Sequence, residues 1–161
     1  MQLFEQEIYT ITEATWQAML GLNIRLRKFQ TVLQPWDDFL TGRVEISGAW
    51  NGAVLLHGSS QLARFAASEI FDCEILDVTQ QDLMDAVYEL TNIIGGNIKL
   101  LLPGPTQLSL PCVYGTTPDI TVVPEAEQVS DLVFDCQGQP LFVSVWKRIE
   151  SEQDNLGVRR G

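Results

Sequence analysis

The sequence predicts an α+β fold in which helices pack on one face of a largely antiparallel sheet. Two observations support this prediction. Short runs of alternating apolar and polar residues are bounded by turn residues, and they flank two segments whose apolar residues recur at helical spacing. After a first helix, the predicted order is two strands, two helices and three strands. We expect one domain over residues 1–150, because the chain of 161 residues is short for two cores.

The first predicted elements are a helix and a hairpin. Trp16, Met19 and Leu20 lie at helical spacing in a helix expected over 13–22, which follows Thr12 as a plausible N-cap. Alternation over 42–48 and an apolar run over 53–57 predict two strands. Because Asn-Gly is a strong turn signal, the pair Asn51-Gly52 is expected to join them as a β-hairpin.

Two helices are expected next. Ser59 or Ser60 can cap a helix over 61–71, and Thr79 can cap a longer one over about 80–102, before Pro103 and Gly104. The pattern over residues 107–114 then predicts one strand, in which Pro111 indicates an edge position or a bulge. The last two strands are predicted over 129–136 and 140–146, joined by a turn that contains Gly138.

Composition excludes several classes of function. The formal net charge of -11 opposes a general attraction to nucleic acid or anionic lipid. The sequence contains no apolar run of the roughly 18 residues that a membrane span needs, and it opens with acids rather than a basic segment. We therefore expect a cytoplasmic protein without membrane insertion. Residues 151–161 are polar without apolar period and are expected to be a disordered tail.

Cysteine and histidine offer little catalytic chemistry. Cys73, Cys112 and Cys136 are odd in number and lack CxxC spacing, which argues against a disulfide framework and against a zinc site. We expect them to be buried reduced thiols. His57 is the one histidine, and it lies in a predicted strand without a recognisable partner, so a structural or surface role is favoured over catalysis.

The long helix carries the most informative pattern. Asp85, Glu89 and Asn92 follow one another at i, i+4 and i+7, which places them within roughly 60° on a helix. A fixed carboxylate beside a carboxamide can pair with a cation and orient a water molecule, as hydrolytic phosphoryl transfer requires. On spacing alone, however, a solvated polar face is the commoner explanation. The opposite face is apolar: Leu83, Val87, Leu90, Ile94, Ile98 and Leu101.

Two glycines and an asparagine follow this pattern. Each glycine would cost about 1 kcal/mol relative to alanine inside a helix, so its presence needs a physical reason. Gly96 projects on the same face as Glu89 and Asn92, where a missing side chain would permit close approach of a partner. Packing is the better explanation for Gly95, which points away from that face. Asn97 is equally suited to a partner contact or to a local bond with the helix backbone.

The string from Glu89 to Asn97, preceded by Asp85 and followed by Leu108–Val113, resembles the CheX branch of the CheC/CheX/FliY chemotaxis phosphatases. The family signature is an Asp or Ser, then Glu, then Asn at this spacing, with a proline downstream. This chain has one copy of the helix motif, which favours the CheX branch over the CheC branch. Its Pro111 follows Asn92 sooner than in the CheC-type pattern. The similarity extends over about residues 39–147.

This resemblance implies a phosphatase that hydrolyses the aspartyl phosphate of a CheY-like response regulator. In that interpretation Asn92 orients the in-line water, and Glu89 forms an ion pair with the regulator's active-site lysine. Asp85 and Gly96 support partner binding. The resemblance implies no metal site and no intrinsic cofactor, because the regulator already holds the Mg²⁺.

The sequence also allows two alternatives from other classes of function. A non-catalytic adaptor could bind a response-regulator or signalling domain through the same helix face without hydrolysing it. A structural partner in a motor or signalling complex could use the acidic surface and a sheet edge. A homodimer is possible in each case, since an exposed edge strand can pair across a two-fold axis.

Overall fold

A computed structural model describes residues 4–27, 38–116 and 123–150. The predicted tail at 151–161 lies outside the described residues. Within those three ranges the chain forms three α-helices and one sheet of seven strands. In chain order the elements are α1 (Glu5–Leu20), β1 (Arg25–Leu26), β2 (Phe39–Gly48), β3 (Gly52–Ser59), α2 (Ser60–Ile70), α3 (Gln80–Lys99), β4 (Thr106–Leu108), β5 (Cys112–Thr116), β6 (Ala126–Cys136) and β7 (Gln139–Arg148).

The sheet is antiparallel at every described strand pair, in the order β1-β6-β7-β3-β2-β4, with β5 also paired to β2. The helices pack on one face, where α2 and α3 contact β2 and β3 and α1 contacts β6. Side chains from that face and from the helices form the main core, which includes Trp16, Val44, Ile94 and Phe134. The predicted α+β architecture is confirmed.

Both predicted hairpins are present. Residues 49–51 connect β2 to β3, and Gly52 is already the first residue of β3, where it pairs with Ile46, so the turn comes before the Asn51-Gly52 pair. The Asn51 side chain bonds the backbone of Gly48. Gln137 and Gly138 connect β6 to β7 with φ values of 51° and 82°, which match the right-handed twist of paired strands. The hairpins therefore set the register of the central strands locally.

The first helix begins earlier than the sequence predicted. Its N-cap is Phe4, not Thr12, and it runs over Glu5–Leu20. Thr12 is fully buried within the helix, and its hydroxyl donates a hydrogen bond of 2.7 Å to the carbonyl oxygen of Ile8. Ile8, Thr12 and Trp16 recur every four residues on one buried stripe, so burial of Ile8 extends the helix past the local cap signal.

The predicted single strand over 107–114 is wrong, because the structure has two strands there. Ser109, Leu110 and Pro111 form a corner between β4, which pairs with Ile46–Gly48, and β5, which pairs with Phe39–Arg43. Pro111 has no backbone N–H to contribute to a ladder, which explains the break. The expected edge position is confirmed, since β4 ends the strand order.

The cysteine prediction holds in part. All three thiols are free, and Cys136 is fully buried, where the indole Nε1 of Trp16 donates to its Sγ at 2.9 Å. Burial raises the pKa of the Cys136 thiol. Cys73 is half-buried and Cys112 is exposed, so burial is not common to the three. The exposed Cys112 follows the corner at Pro111, where the strand lies at the edge of the sheet.

The contact between α3 and β2 is unusually close. A Cβ atom at Gly42 of β2 would collide with the side chain of Thr91, and one at Gly95 of α3 would lie 2.5 Å from Cγ2 of Val44. The packing role predicted for Gly95 is confirmed. A Cβ at Gly96, by contrast, would meet Leu108 Cδ2 at 3.9 Å, an ordinary van der Waals distance.

The two glycines of α3 are therefore expected to respond in opposite ways to alanine. Gly96→Ala should raise the free energy of unfolding by up to about 1 kcal/mol, because alanine is the better helix former and its Cβ fits beside Leu108 without a collision. Gly95→Ala should lower it by about 1–3 kcal/mol, since the stiff Val44 side chain must shift. Urea unfolding measures both. Equal stabilisation by the two substitutions would contradict the close contact.

Candidate functional site

The candidate site is the outward face of α3. The helix begins with a capping box, in which the Thr79 hydroxyl accepts from the backbone N–H of Asp82 at 3.1 Å and the Asp82 carboxylate accepts from that of Thr79 at 2.9 Å. The predicted Thr79 cap is confirmed. The α-helix ends at Lys99, and residues 100–102 continue as a tighter turn with backbone bonds three residues apart. The predicted span of about 80–102 includes both.

The core side of α3 is buried as the apolar pattern predicted. Its buried residues are Leu83, Ala86, Val87, Leu90, Thr91, Ile94, Gly95 and Ile98. The close contacts of Thr91 with Gly42 and of Gly95 with Val44 fix the rotation of the helix about its axis. The residues opposite that contact must consequently face away from the sheet.

The structure places Asp85, Glu89 and Asn92 together on this outward face, and all three are exposed. Gln81 Nε2 donates to Asp85 Oδ1 at 2.8 Å. Neither the Glu89 nor the Asn92 side chain forms a hydrogen bond or ion pair with another described residue, so both side chains are available to a second molecule. Gly96 is half-buried one turn further along the same stripe.

Asn97 is exposed but bonded locally. Its Nδ2 donates to the carbonyl oxygen of Ile93 at 2.9 Å. At 100° per residue it points about 140° away from Asn92 around the helix. Of the two alternatives left open for Asn97, the structure shows the backbone bond.

The surface around the site is acidic. Between Arg64 and Lys99 the sequence has seven carboxylates and no Lys, Arg or His. Arg64 is itself engaged, because it donates to the carbonyl oxygen of Val78 at 2.9 Å. A cation brought by a partner would therefore meet Glu89 without competition from a neighbouring basic side chain of this segment.

An ordered corner borders the site at its Gly96 end. Leu108 of β4 is the nearest neighbour outside the helix to a Cβ at Gly96, and Ser109 follows it. Ser109 binds Glu45 twice: its backbone N–H donates to the Glu45 carbonyl, and its hydroxyl accepts from the Glu45 N–H, both at 2.8 Å. Leu110 comes next and is 80% exposed. In the sequence, an apolar residue directly before a proline could have indicated this exposed position. The prediction of one continuous strand over 107–114 placed Leu110 inside that strand instead.

The described residues offer no obvious metal ligands, since no group of three or more His, Cys, Asp or Glu lies close enough together to hold an ion. A carboxylate and a neutral carboxamide on one rigid helix can bind a cation and position a water molecule. Both functions position groups that a second molecule supplies. The arrangement suits a protein that completes the site of a partner.

His57 lies on the other side of the sheet and takes no part in this face. Its strand neighbours Val54 and Leu56 join the helix-side core, so alternation turns His57 to the opposite face. There its Nδ1 lies 2.6 Å from the Thr41 hydroxyl, and its ring stacks on Phe39 with centroids 4.6 Å apart. The predicted structural role fits this burial. Burial lowers the pKa of His57 to about 4.

The low pKa of His57 predicts a pH-dependent stability. The unfolded chain takes up a proton near the ordinary pKa of about 6.5, whereas the folded chain resists it down to about 4. Stability is therefore lost as the pH falls through this window, by about 2 kcal/mol between roughly pH 7 and pH 5. The measurement is urea unfolding of the wild type and of His57→Gln at several pH values. The prediction is wrong if both proteins show the same pH slope.

A model of the family described as chemotaxis phosphatase CheX matches residues 40–136. That range holds β2 except its first residue, β3, the whole of α3, the corner and β6. No curated protein matches the sequence significantly.

Solved structures share the fold at low sequence identity. The chemotaxis protein CheX from Vibrio vulnificus is 17% identical with a TM-score of 0.71, covering 91% of this chain and 97% of its own. CheX in the CheX–CheY–BeF3–Mg complex from Borrelia burgdorferi is 19% identical with a TM-score of 0.70, covering 90% and 97%. A CheC-like superfamily protein from Shewanella sp. PV-4 is 14% identical with a TM-score of 0.72, covering 92% and 99%. Identities this low establish the fold alone.

Proposed function

This chain belongs to the chemotaxis phosphatase CheX family, and from that premise we propose that it hydrolyses the aspartyl phosphate of a CheY-like response regulator through Glu89 and Asn92. The observation that carries the proposal is the exposure of both side chains on one uncovered stripe of α3. Such a reaction would place the protein in the cytoplasm with its regulator. No helix among the described residues is both long and apolar enough to cross a membrane.

This reaction requires few chemical groups from the phosphatase itself. The regulator contributes the phosphoryl group and its Mg²⁺, and the partner adds positioning and electrostatic help. One structural relative is a complex of CheX with CheY, BeF3 and Mg²⁺, which supports this division of labour. The Asn92 carboxamide oxygen can accept a hydrogen bond from the attacking water while its NH2 group donates one to a phosphoryl oxygen, and the carboxamide stays neutral at any working pH.

Glu89 provides the docking contact in this proposal. It lies one turn before Asn92, and a lysine of the regulator would meet it in a segment that lacks cations of its own. An ion pair there would hold the helix in register, so that the Asn92 amide reaches the line of attack. Asp85, one further turn away, would sit at the rim and add attraction for a basic surface.

The contact must extend beyond one helical stripe. A specific interface covers about 800 Å² on each partner, more than four residues of a helix present. Gly96 gives room for a close approach, and the neighbouring corner offers the exposed Leu110 on a backbone held by Ser109. We include Leu110 as an apolar contact of the regulator. The homodimer expected from an edge strand stays a prediction.

Asn92→Ala should abolish catalysis while leaving docking intact. The water loses its orienting group, so the acceleration of phosphate loss is expected to fall by at least about 100-fold. The Kd for the regulator in its BeF3-bound form should change less than about threefold. Asn97→Ala is the matched control, because it removes the same side chain from the same helix on a different face. Release of phosphate from the phosphorylated regulator measures the rate.

An adaptor would give a different pattern in that experiment. The wild-type protein would bind the phosphorylated regulator and leave its decay rate unchanged. A purely structural role would make Asn92→Ala and Asn97→Ala equally silent in both measurements. Either result would contradict the proposed phosphatase activity.

Glu89→Gln should weaken docking and turnover together. Loss of the ion pair is expected to raise the Kd about tenfold or more, and the remaining binding should depend less on salt. The measurements are the regulator Kd and the rate of phosphate release at two ionic strengths. Asp85→Asn serves as control, because a rim carboxylate should alter the salt dependence with little effect on the maximal rate. An unchanged rate and Kd for Glu89→Gln would refute the ion-pair role.

A further inference from the structure

A second concave site lies behind the motif helix. A cavity of about 250 Å³ opens between the start of α1, the end of α3 and the sheet. Its walls are mostly apolar and include Ile8, Trp50 and Ile98. Two polar groups join them, because Ser130 and Lys147 also line the cavity. Apolar walls with a few convergent polar groups are typical of small-molecule sites.

Ser130 breaks the pattern of its strand. The other core-facing residues of β6 are Leu132, Phe134 and Cys136, all buried and apolar. Ser130 is 5% exposed, and its hydroxyl has no hydrogen-bond partner among the described residues. An unpaired buried hydroxyl lowers stability, and a leucine there would suit the core better. The hydroxyl is therefore available to a ligand in the cavity that it lines.

A β-bulge turns this part of the strand toward the cavity. The pairing of β6 with β7 shifts register between Gln128 and Ser130, which leaves Val129 as the extra residue. As a result Val129 and Ser130 both line the cavity although they are consecutive. Bulges recur next to binding sites because they redirect a side chain without breaking the sheet.

Lys147 supplies a positive charge at the mouth. It follows Val145 on the helix side of β7 and is exposed. Its cross-strand neighbour is Glu127, but no carboxylate of a described residue lies within ion-pair distance of its ammonium group. The amine is therefore available to an anion that enters the cavity beside it.

We propose that this cavity binds a small amphiphilic carboxylate, with its apolar group among Ile8, Trp50 and Ile98 and its carboxylate between the Ser130 hydroxyl and the Lys147 amine. The size fits, since a cavity of ~150 Å³ already admits benzene, and this one admits a ring with a short chain. The site is separate from the outward face of α3, because Ile98 belongs to the buried side of the helix.

The test uses the full chain, titrated by calorimetry with 3-phenylpropanoate as the probe. Saturable binding to one site is expected, and 3-phenylpropanol, which lacks the carboxylate, should bind about tenfold more weakly. Lys147→Gln should weaken binding of the acid about tenfold while leaving the alcohol unaffected. Lys99→Gln, on the same helix as the motif and outside the cavity lining, is the matched control.

The variant Ser130→Leu separates loss of binding from loss of folding. Leucine fills the cavity and replaces an unpaired hydroxyl, so this variant should unfold at higher urea than the wild type and bind no probe. Absence of saturable binding to the wild type, or unchanged binding by Ser130→Leu, would overturn the proposal. Binding seen only after removal of residues 1–3 would also overturn it, and it would identify the chain's own N-terminus as the occupant. No readout involves phosphate release, so failure here is distinct from failure of the phosphatase proposal.

Discussion

The close crossing of α3 over β2 is the contact on which the rest of this structure depends. Gly42 leaves room for Thr91, and Gly95 leaves room for Val44, so helix and strand approach more closely than side chains would otherwise permit. Interiors pack densely, and such a contact has one rotation of the helix that fits. That rotation turns the acid and amide side chains outward. Packing in the core thereby determines which side chains of α3 form the surface site.

The exposed side and the buried side of α3 differ in how their polar groups are satisfied. On the outer side Glu89 and Asn92 are exposed, so their polar groups are hydrated in the free protein and need no internal partners. A rigid helix holds them at a fixed spacing, which favours positioning of water in a partner's site over chemistry of its own. On the inner side Ile98 borders a cavity where the Ser130 hydroxyl has no hydrogen-bond partner among the described residues, and burying such a polar group lowers stability.

Local signals predicted those elements whose cause is local. The Thr79 cap, the hairpin that connects β2 to β3 and the 3.6-residue period of the motif helix depend on neighbours a few residues away, and each is present in the structure. The period also predicted which side of α3 would be buried. Thr12 shows where such reasoning fails, because a cap residue can equally bond the preceding turn when burial of Ile8 extends the helix.

By itself the sequence determined the motif helix and the residues that share its outward face, since both follow from spacing along one element. Only the tertiary structure decided that this face is uncovered, because exposure depends on what the sheet, the other helices and the corner at Leu110 leave open. It also decided that Gly95 lies in a close contact and that Gly96 has room for a small side chain, although the two glycines are neighbours in the chain. The difference is set by contacts with Val44 and Leu108, strand residues distant in sequence, which helical spacing does not encode.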